Sequence, residues 1–175
     1  DQQGVLSSRK DTDRLGLTAI HTPAAPSAKS VRAGGTALLA ARSLPIVEMV
    51  SGEWQLPQEK PHDWTALRFH LSGRWFALVV LYCTASIGLA GVNLGKLGQV
   101  TSWLRTHQYP WAIAADWNME PAELLTDGAL CGLACHPLMP EGEVATCSAR
   151  STMYDYLVAS PHFTASVASV CAEAC

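Results

Sequence analysis

Hydrophobic residues occur along this chain in short runs separated by polar or glycine- and proline-containing segments, a spacing typical of β-strands. The clearest pair of runs predicts a β-hairpin, with strands over 64–71 and 74–82 joined by the turn signal Ser72-Gly73. The second run is apolar almost throughout, which predicts a strand covered on both faces. Shorter strands are predicted at 17–21, 34–40 and 45–50.

Helical spacing of apolar residues begins at Leu94 and predicts a helix over about 92–107, ended by Pro110. An apolar strand then runs from Trp111 to Asp116. A short helix follows from Glu120, with a proline and acidic residues in its first turn. Helix, buried strand and helix in succession indicate an α/β layer sequence.

The length of 175 residues fits one domain, which we place at 17–175 after a polar N-terminal segment over 1–16. A hydrophobic content of 49% excludes general disorder. No apolar run is long enough to cross a bilayer and no signal peptide is recognisable, so we expect no membrane association and an intracellular monomer, nuclear or cytoplasmic.

The net charge and the cysteine spacing limit which ligands and metal sites the sequence predicts. A net charge of −3 provides no overall attraction to nucleic acid, although a local cationic rim is predicted from Arg68, Arg74, Lys96 and Arg105. Six cysteines are present, and their spacing departs from that of zinc knuckles. Buried or free thiols are the favoured interpretation. The alternative is an adventitious metal site that uses the i, i+4 pair Cys131 and Cys135 with the adjacent His136.

The candidate catalytic residues lie at the end of the predicted strand over 111–116, in the sequence Asp116-Trp117-Asn118. Strand alternation would place Asp116 and Asn118 on one face with Trp117 on the other, so that a carboxylate and an amide converge on one ligand. A simpler alternative is an Asx turn that caps the following helix. A second acid, Asp155, lies inside the strand-like segment 151–160.

Four ordered segments resemble motifs of the endonuclease/exonuclease/phosphatase superfamily, and the non-LTR retrotransposon nucleases most closely. Residues 115–118 resemble G-D-[FLW]-N with alanine for glycine, and residues 154–160 resemble I-D-Y-[IF]-L-V-S with tyrosine for isoleucine. Upstream, residues 34–40 resemble the G-G-V-A-[IV]-L strand, and residues 74–82 resemble the strand that ends in V-x-V-Y. The resemblance covers about residues 15–160.

The resemblance implies a four-layered α/β sandwich, present in part, in which two packed mixed sheets are flanked by helices. It implies hydrolysis of a phosphate ester, in which Asp116 aligns and deprotonates the water and Asn118 donates to a phosphoryl oxygen. Tyr82 would contact the scissile phosphate, and Asp155 would hold the imidazole of a family histidine. Mg²⁺ is the implied cofactor, with Mn²⁺ as an alternative. Packing alone remains the alternative for Tyr82, and a structural hydrogen bond for Asp155.

Nothing between residues 1 and 16 matches the family's first catalytic asparagine or its Q-E-[TH] strand with the metal-binding glutamate, and the histidine of its final S-D-H motif is not found. His162 follows Asp155 too closely to be that histidine, because another strand and loop would have to intervene. The metal ligands are therefore unknown, with Asp63 or Glu120 as candidate substitutes.

Three functions remain open at this stage. The first is a metal-dependent endonuclease that acts on DNA. The second is a phosphomonoesterase of the same fold that acts on a phosphorylated small molecule, such as an inositol phosphate or a lipid head group. The third is an inactive domain that serves as an interaction module.

Overall fold

The computed structural model describes residues 12–22, 36–51, 63–128, 130, 132–139 and 152–166. The strands in these ranges are β1 (Leu17–Thr22), β2 (Thr36–Ala41), β3 (Ile46–Ser51), β4 (Trp64–Leu71), β5 (Arg74–Tyr82), β6 (Trp111–Asp116), β7 (His136–Leu138) and β8 (Asp155–Ala159). The helices are α1 (Gly91–His107), α2 (Pro121–Asp127) and α3 (Pro161–Thr164). No helix in the described part of the chain is both long and apolar enough to cross a membrane.

Six strands form a mixed main sheet in the order β3-β4-β5-β6-β8-β7. The β4–β5 hairpin is antiparallel, as predicted, and its turn residues Ser72 and Gly73 have φ angles of +50° and +80°. Both values lie in the left-handed region that this tight turn requires. Strands β5 and β6 are parallel, and α1 connects them, because parallel neighbours need a crossover.

Helix α1 covers one face of the main sheet. Its Leu97, Val100 and Leu104 are buried in a core that they share with sheet residues such as Val79 and Ile113. These sheet residues alternate along their strands with residues of the other face. One face of the sheet therefore forms an α/β interface.

The second sheet, β1–β2, packs on the other face of the main sheet. Leu38 of β2 contacts Leu67 of β4, and Leu78 and Val80 of β5 pack around this pair. The two sheets are also linked by a hydrogen bond of 2.7 Å between the buried hydroxyls of Thr36 and Thr65. Helix, main sheet and small sheet form successive layers, which confirms the predicted α/β sandwich.

Differences from the predicted elements are local. Strand β7 was not predicted, because three residues containing a proline carry no strand pattern. The first part of the predicted strand 34–40 and the cysteines at 131, 147, 171 and 175 lie outside the described residues. Of the alternative metal site, Cys135 and His136 are described. Cys135 lies directly before β7 and not in a helix, and the ring of His136 hydrogen-bonds Thr164 over 2.8 Å.

Candidate active site

A row of three polar side chains crosses the main sheet where β5, β6 and β8 share one end. Tyr82, the last residue of β5, pairs with Asp116, the last residue of β6. Asp116 pairs in turn with Asp155, the first residue of β8. Residues opposite one another on neighbouring strands project from the same face of a sheet. Strand pairing thus brings three of the four predicted site residues together.

The row lies on the face of the main sheet that carries the small sheet. Leu78 and Val80 of β5 pack toward β2, and Tyr82 follows them at the period-two spacing of a strand. Tyr82 and Asp116 are half-buried, whereas Asp155 is exposed. A ligand approaching from solvent can therefore reach the row at the edge of the sandwich.

Asn118 reaches the row through a turn and not by extending the strand. Strand β6 ends at Asp116, and Asn118 has a left-handed backbone with a φ of +54°. Its backbone N–H donates to Oδ1 of Asp116 over 3.2 Å, which closes an Asx turn, and its Nδ2 donates to the Cys83 carbonyl over 2.9 Å. Strand alternation does not explain the position of Asn118, because the strand has already ended. The turn brings Asn118 next to Asp116 instead, which is the geometry of the Asx-turn alternative.

Trp117 anchors this turn from the opposite face of the sheet. Its side chain is fully buried in the α1-facing core, where its ring stacks on Tyr156 with a centroid separation of 5.8 Å. Its Nε1 donates to the Tyr156 carbonyl over 3.1 Å, and its backbone N–H donates to the Tyr154 carbonyl over 2.8 Å. These contacts hold Trp117 away from the row, as predicted, and fix the position at which the turn begins.

Asp116 is a stronger base than an ordinary carboxylate. Burial raises the pKa of its carboxyl above the usual value, and the negative charge of Asp155 raises it further. Hydrogen bonds from Asn118 lower this pKa and so oppose the shift. A carboxylate of this kind accepts a proton more readily than a free aspartate, which suits a general base.

Tyr82 keeps its hydroxyl proton at neutral pH. Burial raises the pKa of the phenol above its ordinary value, and the charges of Asp116 and Asp63 raise it further. The neutral hydroxyl can therefore donate a hydrogen bond to an anionic oxygen.

Asp155 contributes charge to the row from an exposed position. The sequence resemblance implies that it holds an imidazole. His162 lies in α3, beyond the far end of β8, in agreement with its exclusion as that partner. The role of Asp155 as an imidazole partner remains a prediction.

Sequence reasoning missed the buried ion pair beneath Tyr82. The ammonium of Lys96, on α1, lies 2.5 Å from Oδ2 of Asp63, and their side chains are only 7% and 4% exposed. Lys96 was predicted to form part of a cationic rim, and that prediction is wrong. The signal was available in the sequence, since Lys96 shares the helical stripe of Leu97 and Val100, which α1 buries.

The three predicted rim arginines also lie away from the row. Arg74 begins β5 and Arg105 lies near the end of α1, both remote from the strand ends that carry the row. The guanidinium of Arg68 lies over Trp75 and Tyr109, at 5.2 and 5.8 Å from the ring centroids. The predicted rim is therefore not formed by these four residues.

The described residues do not form a metal site of three ligands. Within the ranges that the structure covers, no three His, Cys, Asp or Glu side chains cluster closely enough to hold a metal ion. Asp63 is neutralised by Lys96, and the Glu120 side chain caps α2 in a reciprocal capping box with Glu123. The two candidate substitutes for the missing glutamate are thus engaged in other contacts.

Cys83, which follows Tyr82, is a buried thiol and not a nucleophile. Burial raises its pKa to about 12, with smaller increases from Asp116 and Asp63 and a decrease from Lys96. Its backbone N–H donates to the Asp116 carbonyl over 3.1 Å. The residue therefore joins the ends of β5 and β6 through its main chain.

Comparison with known proteins places the fold. No protein-family model matches the sequence, and no curated protein matches it. The human nocturnin catalytic domain aligns with a TM-score of 0.65 at 17% identity, over 88% of this chain and 64% of that domain. A mannosyl-6-phosphatase from Bacteroides thetaiotaomicron aligns with a TM-score of 0.61 at 13% identity, over 89% of this chain and 68% of the other.

The endonuclease domain of TRAS1, a telomere-specific non-LTR retrotransposon, aligns with a TM-score of 0.58 at 15% identity, over 86% of this chain and 69% of that domain. The chain spans less than two thirds of the nocturnin domain's length. At these identities the likeness shows the fold. The chain has the α/β sandwich fold of endonuclease/exonuclease/phosphatase-type proteins, which is the fold that the sequence resemblance implies.

Proposed function

We propose that the row formed by Tyr82, Asp116 and Asp155 is the active site of a phosphodiester hydrolase of the endonuclease kind, with DNA as its substrate class. The observation that carries the proposal is the strand register, which sets the three side chains next to one another at one end of the sheet. The fold supports a phosphoesterase, since a retrotransposon endonuclease and a sugar phosphatase share it.

The row offers a base and a donor for in-line attack on phosphorus. Asp116 accepts a proton from water as the water oxygen bonds to phosphorus and the bond to the leaving oxygen breaks. The raised pKa of Asp116 favours this proton transfer. The neutral Tyr82 hydroxyl donates to a phosphoryl oxygen and stabilises the charge that develops there.

Asn118 and Asp155 support the general base Asp116 in this scheme. The backbone N–H of Asn118 orients the Asp116 carboxylate. Its Nδ2 carries two hydrogens and donates to the Cys83 carbonyl, and we propose that it is also the second donor to a phosphoryl oxygen. The charge of Asp155 raises the basicity of Asp116. We retain the proposal that Asp155 also holds an imidazole.

A divalent cation is implied by the sequence resemblance, with Mg²⁺ ahead of Mn²⁺. Such an ion would neutralise charge on the phosphoryl oxygens when bound. The described residues do not fit a site of this kind, because they contain no three-ligand cluster. None of the steps above uses a metal ion, and we expect the rate of hydrolysis by these steps alone to be low.

Two other functions share the same site. The mannosyl-6-phosphatase neighbour favours a phosphomonoesterase acting on a phosphorylated small molecule. The lack of a metal cluster among the described residues favours an inactive interaction module. We expect the protein to be a monomer in each case.

Two assays on the wild-type chain separate these functions. Nicking of supercoiled plasmid is followed with Mg²⁺ and with EDTA, and release of nitrophenol from p-nitrophenyl phosphate is followed under the same conditions. Slow nicking supports the endonuclease assignment, because a single cut converts a plasmid and low rates remain visible. Turnover of the monoester alone indicates the phosphatase, and activity on neither substrate contradicts both enzymatic assignments.

A further inference from the structure

We propose that the buried ion pair of Lys96 and Asp63 is a positioning device that holds Tyr82 against Asp116. The inference rests on the proposed function, since it assigns a purpose to Tyr82 in that site. It extends the site to two residues that cannot contact a substrate directly, because both are almost completely buried.

Both backbone polar groups of Tyr82 bond to the two residues of the pair, one to the Lys96 side chain and one to the Asp63 main chain. The ammonium of Lys96 donates to the Tyr82 carbonyl over 3.0 Å, and the Tyr82 N–H donates to the backbone carbonyl of Asp63 over 2.8 Å. A third contact of the ammonium, to Oγ1 of Thr84 at 3.3 Å, fixes the start of the loop after β5. Tyr82 is thus held on either side of its own Cα.

The same ammonium also constrains the Tyr82 ring. It lies 5.7 Å from the ring centroid, within the range of cation–π attraction. Strand pairing places Asp116 on the neighbouring strand at the same level. The ammonium therefore lies beside the Tyr82 ring, and Asp116 is close enough for its charge to act on the phenol.

A purely structural role explains this pair poorly. Burying two charges costs desolvation energy, and well-packed apolar residues of similar volume are often as stabilising or more so. The pair instead supplies a fixed geometry, because the ammonium has three directed donors and each has an acceptor. Fixed geometry at the end of β5 is what a donor to a phosphoryl oxygen requires.

The test measures how much the charge of Asp116 raises the pKa of Tyr82, with and without the buried ion pair. The chain has four tyrosines, so ring ¹³C-labelled tyrosine gives few NMR signals, and Tyr82→Phe identifies the one of interest. The pKa of Tyr82 is measured before and after Asp116→Asn in three backgrounds. These are wild type, the paired substitution Lys96→Met with Asp63→Asn, and a matched control.

The control removes the exposed ion pair of Arg42 and Asp13 by Arg42→Met with Asp13→Asn. In wild type and in the control, Asp116→Asn lowers the pKa of Tyr82, since the Asp116 charge raises it. With the buried pair removed, the effect falls to less than about half, because the phenol is no longer held beside Asp116. An undiminished effect overturns the proposal, and the baseline change caused by Asp63→Asn cancels in the comparison.

Folding of the paired variant is checked by circular dichroism. If it does not fold, Lys96→Met with Asp63→Leu replaces the pair by apolar residues that the core accepts more easily. The rate of hydrolysis is measured in parallel. It falls roughly tenfold or more in the paired variant and does not change in the control. Absence of hydrolysis in wild type contradicts the proposed function alone, since the Tyr82 coupling still decides whether the pair positions the phenol.

Discussion

The environment of Asp116 disfavours its negatively charged form. It is half-buried and lies opposite Asp155, and both circumstances raise its pKa. A carboxyl that binds its proton more tightly in the folded than in the unfolded state costs stability once it ionises. The residue is therefore expected to favour activity at the expense of stability, as functional residues often do.

Asp116→Asn should raise the melting temperature at neutral pH. The folded-state pKa lies above the unfolded value, so wild-type stability is full below the unfolded pKa and declines as pH rises through the folded pKa. Asparagine removes this decline and can still accept the Asn118 N–H. Melting curves at pH 7 and pH 3 should show a gain only at pH 7, with no gain from the exposed control Asp127→Asn. Destabilisation at pH 7 contradicts the account.

Asp155→Asn should shift the acidic limb of the pH–rate profile to lower pH. In the proposed mechanism activity requires ionised Asp116, so the wild-type rate is expected to rise with pH through a pKa above that of an ordinary aspartate. Removing the Asp155 charge lowers that pKa and moves the rise toward acid. The profile of hydrolysis is measured for wild type, Asp155→Asn and the control Asp127→Asn. A limb that does not move separates Asp155 from the electrostatics of the base.

The sequence predicted correctly the positions of those candidate site residues that depend only on the pairing of predicted strands. Tyr82 and Asp116 end predicted strands, and Asp155 lies in a predicted strand segment, so pairing of the strands brings them together. Lys96 and Asp63 were missed as a pair because they are 33 positions apart and only the tertiary fold unites them.

Helix α1 positions the loop that follows β5. Asn93 is fully buried and makes three hydrogen bonds to that loop. Its Oδ1 accepts from the Thr84 N–H over 2.7 Å, and its Nδ2 donates to the Thr84 and Gly88 carbonyls over 2.9 and 2.7 Å. The loop between strand and helix is thereby tied to the first turn of α1.

Asn93→Ala should destabilise the protein by roughly 3 kcal/mol, because it leaves three backbone groups without this partner. Urea unfolding measures the change. Ser102→Ala, on the exposed face of the same helix, serves as the control and should change stability by about 0.5 kcal/mol or less. A small effect of Asn93→Ala would show that the loop does not depend on this side chain.

The elements that were predicted well are those defined by local pattern. The β4–β5 hairpin and α1 each carry a complete signal, a turn dipeptide in one case and apolar periodicity with a following proline in the other. The turn at Asn118 was predicted as a strand continuation. An Asx turn and an extended Asp-x-Asn have the same residues. The left-handed backbone of Asn118 and its N–H bond to Asp116 distinguish the turn, and both appear only in the structure.

The contact between the two sheets determines the layers of the molecule. Leu67 of β4 is 2% exposed and packs against Leu38 of β2 at the centre of this contact. Because the row lies on the same face of the main sheet, packing of the small sheet also shapes the approach to the site. The site therefore depends on the integrity of the whole sandwich.

Leu67→Ala should lower the free energy of unfolding by about 2–5 kcal/mol, since it creates a cavity between the sheets. Leu71→Ala, in the same strand but 51% exposed, should change it by about 0.5 kcal/mol or less. Chemical denaturation of both variants gives the comparison. Equal effects would mean that the two sheets do not share a packed core.

The overall fold was predictable because four ordered motifs resemble those of one superfamily, and the strands that they predict do pair in the structure. Pattern alone would have given only an α/β class, since strand order depends on contacts far apart in the sequence. The metal ligands and the substrate could not be predicted, because they depend on side chains that no recognised motif supplies.

The most direct test of the hydrolytic site is the rate of plasmid nicking by Asp116→Asn compared with Asp127→Asn. Both substitutions replace an aspartate by its neutral isostere, but only Asp116 belongs to the row. We predict a loss of about 10²- to 10⁴-fold for Asp116→Asn, the usual contribution of a general base, and a rate within about twofold of wild type for Asp127→Asn. Nicking by Asp116→Asn at the wild-type rate would contradict the assignment of this row as the active site.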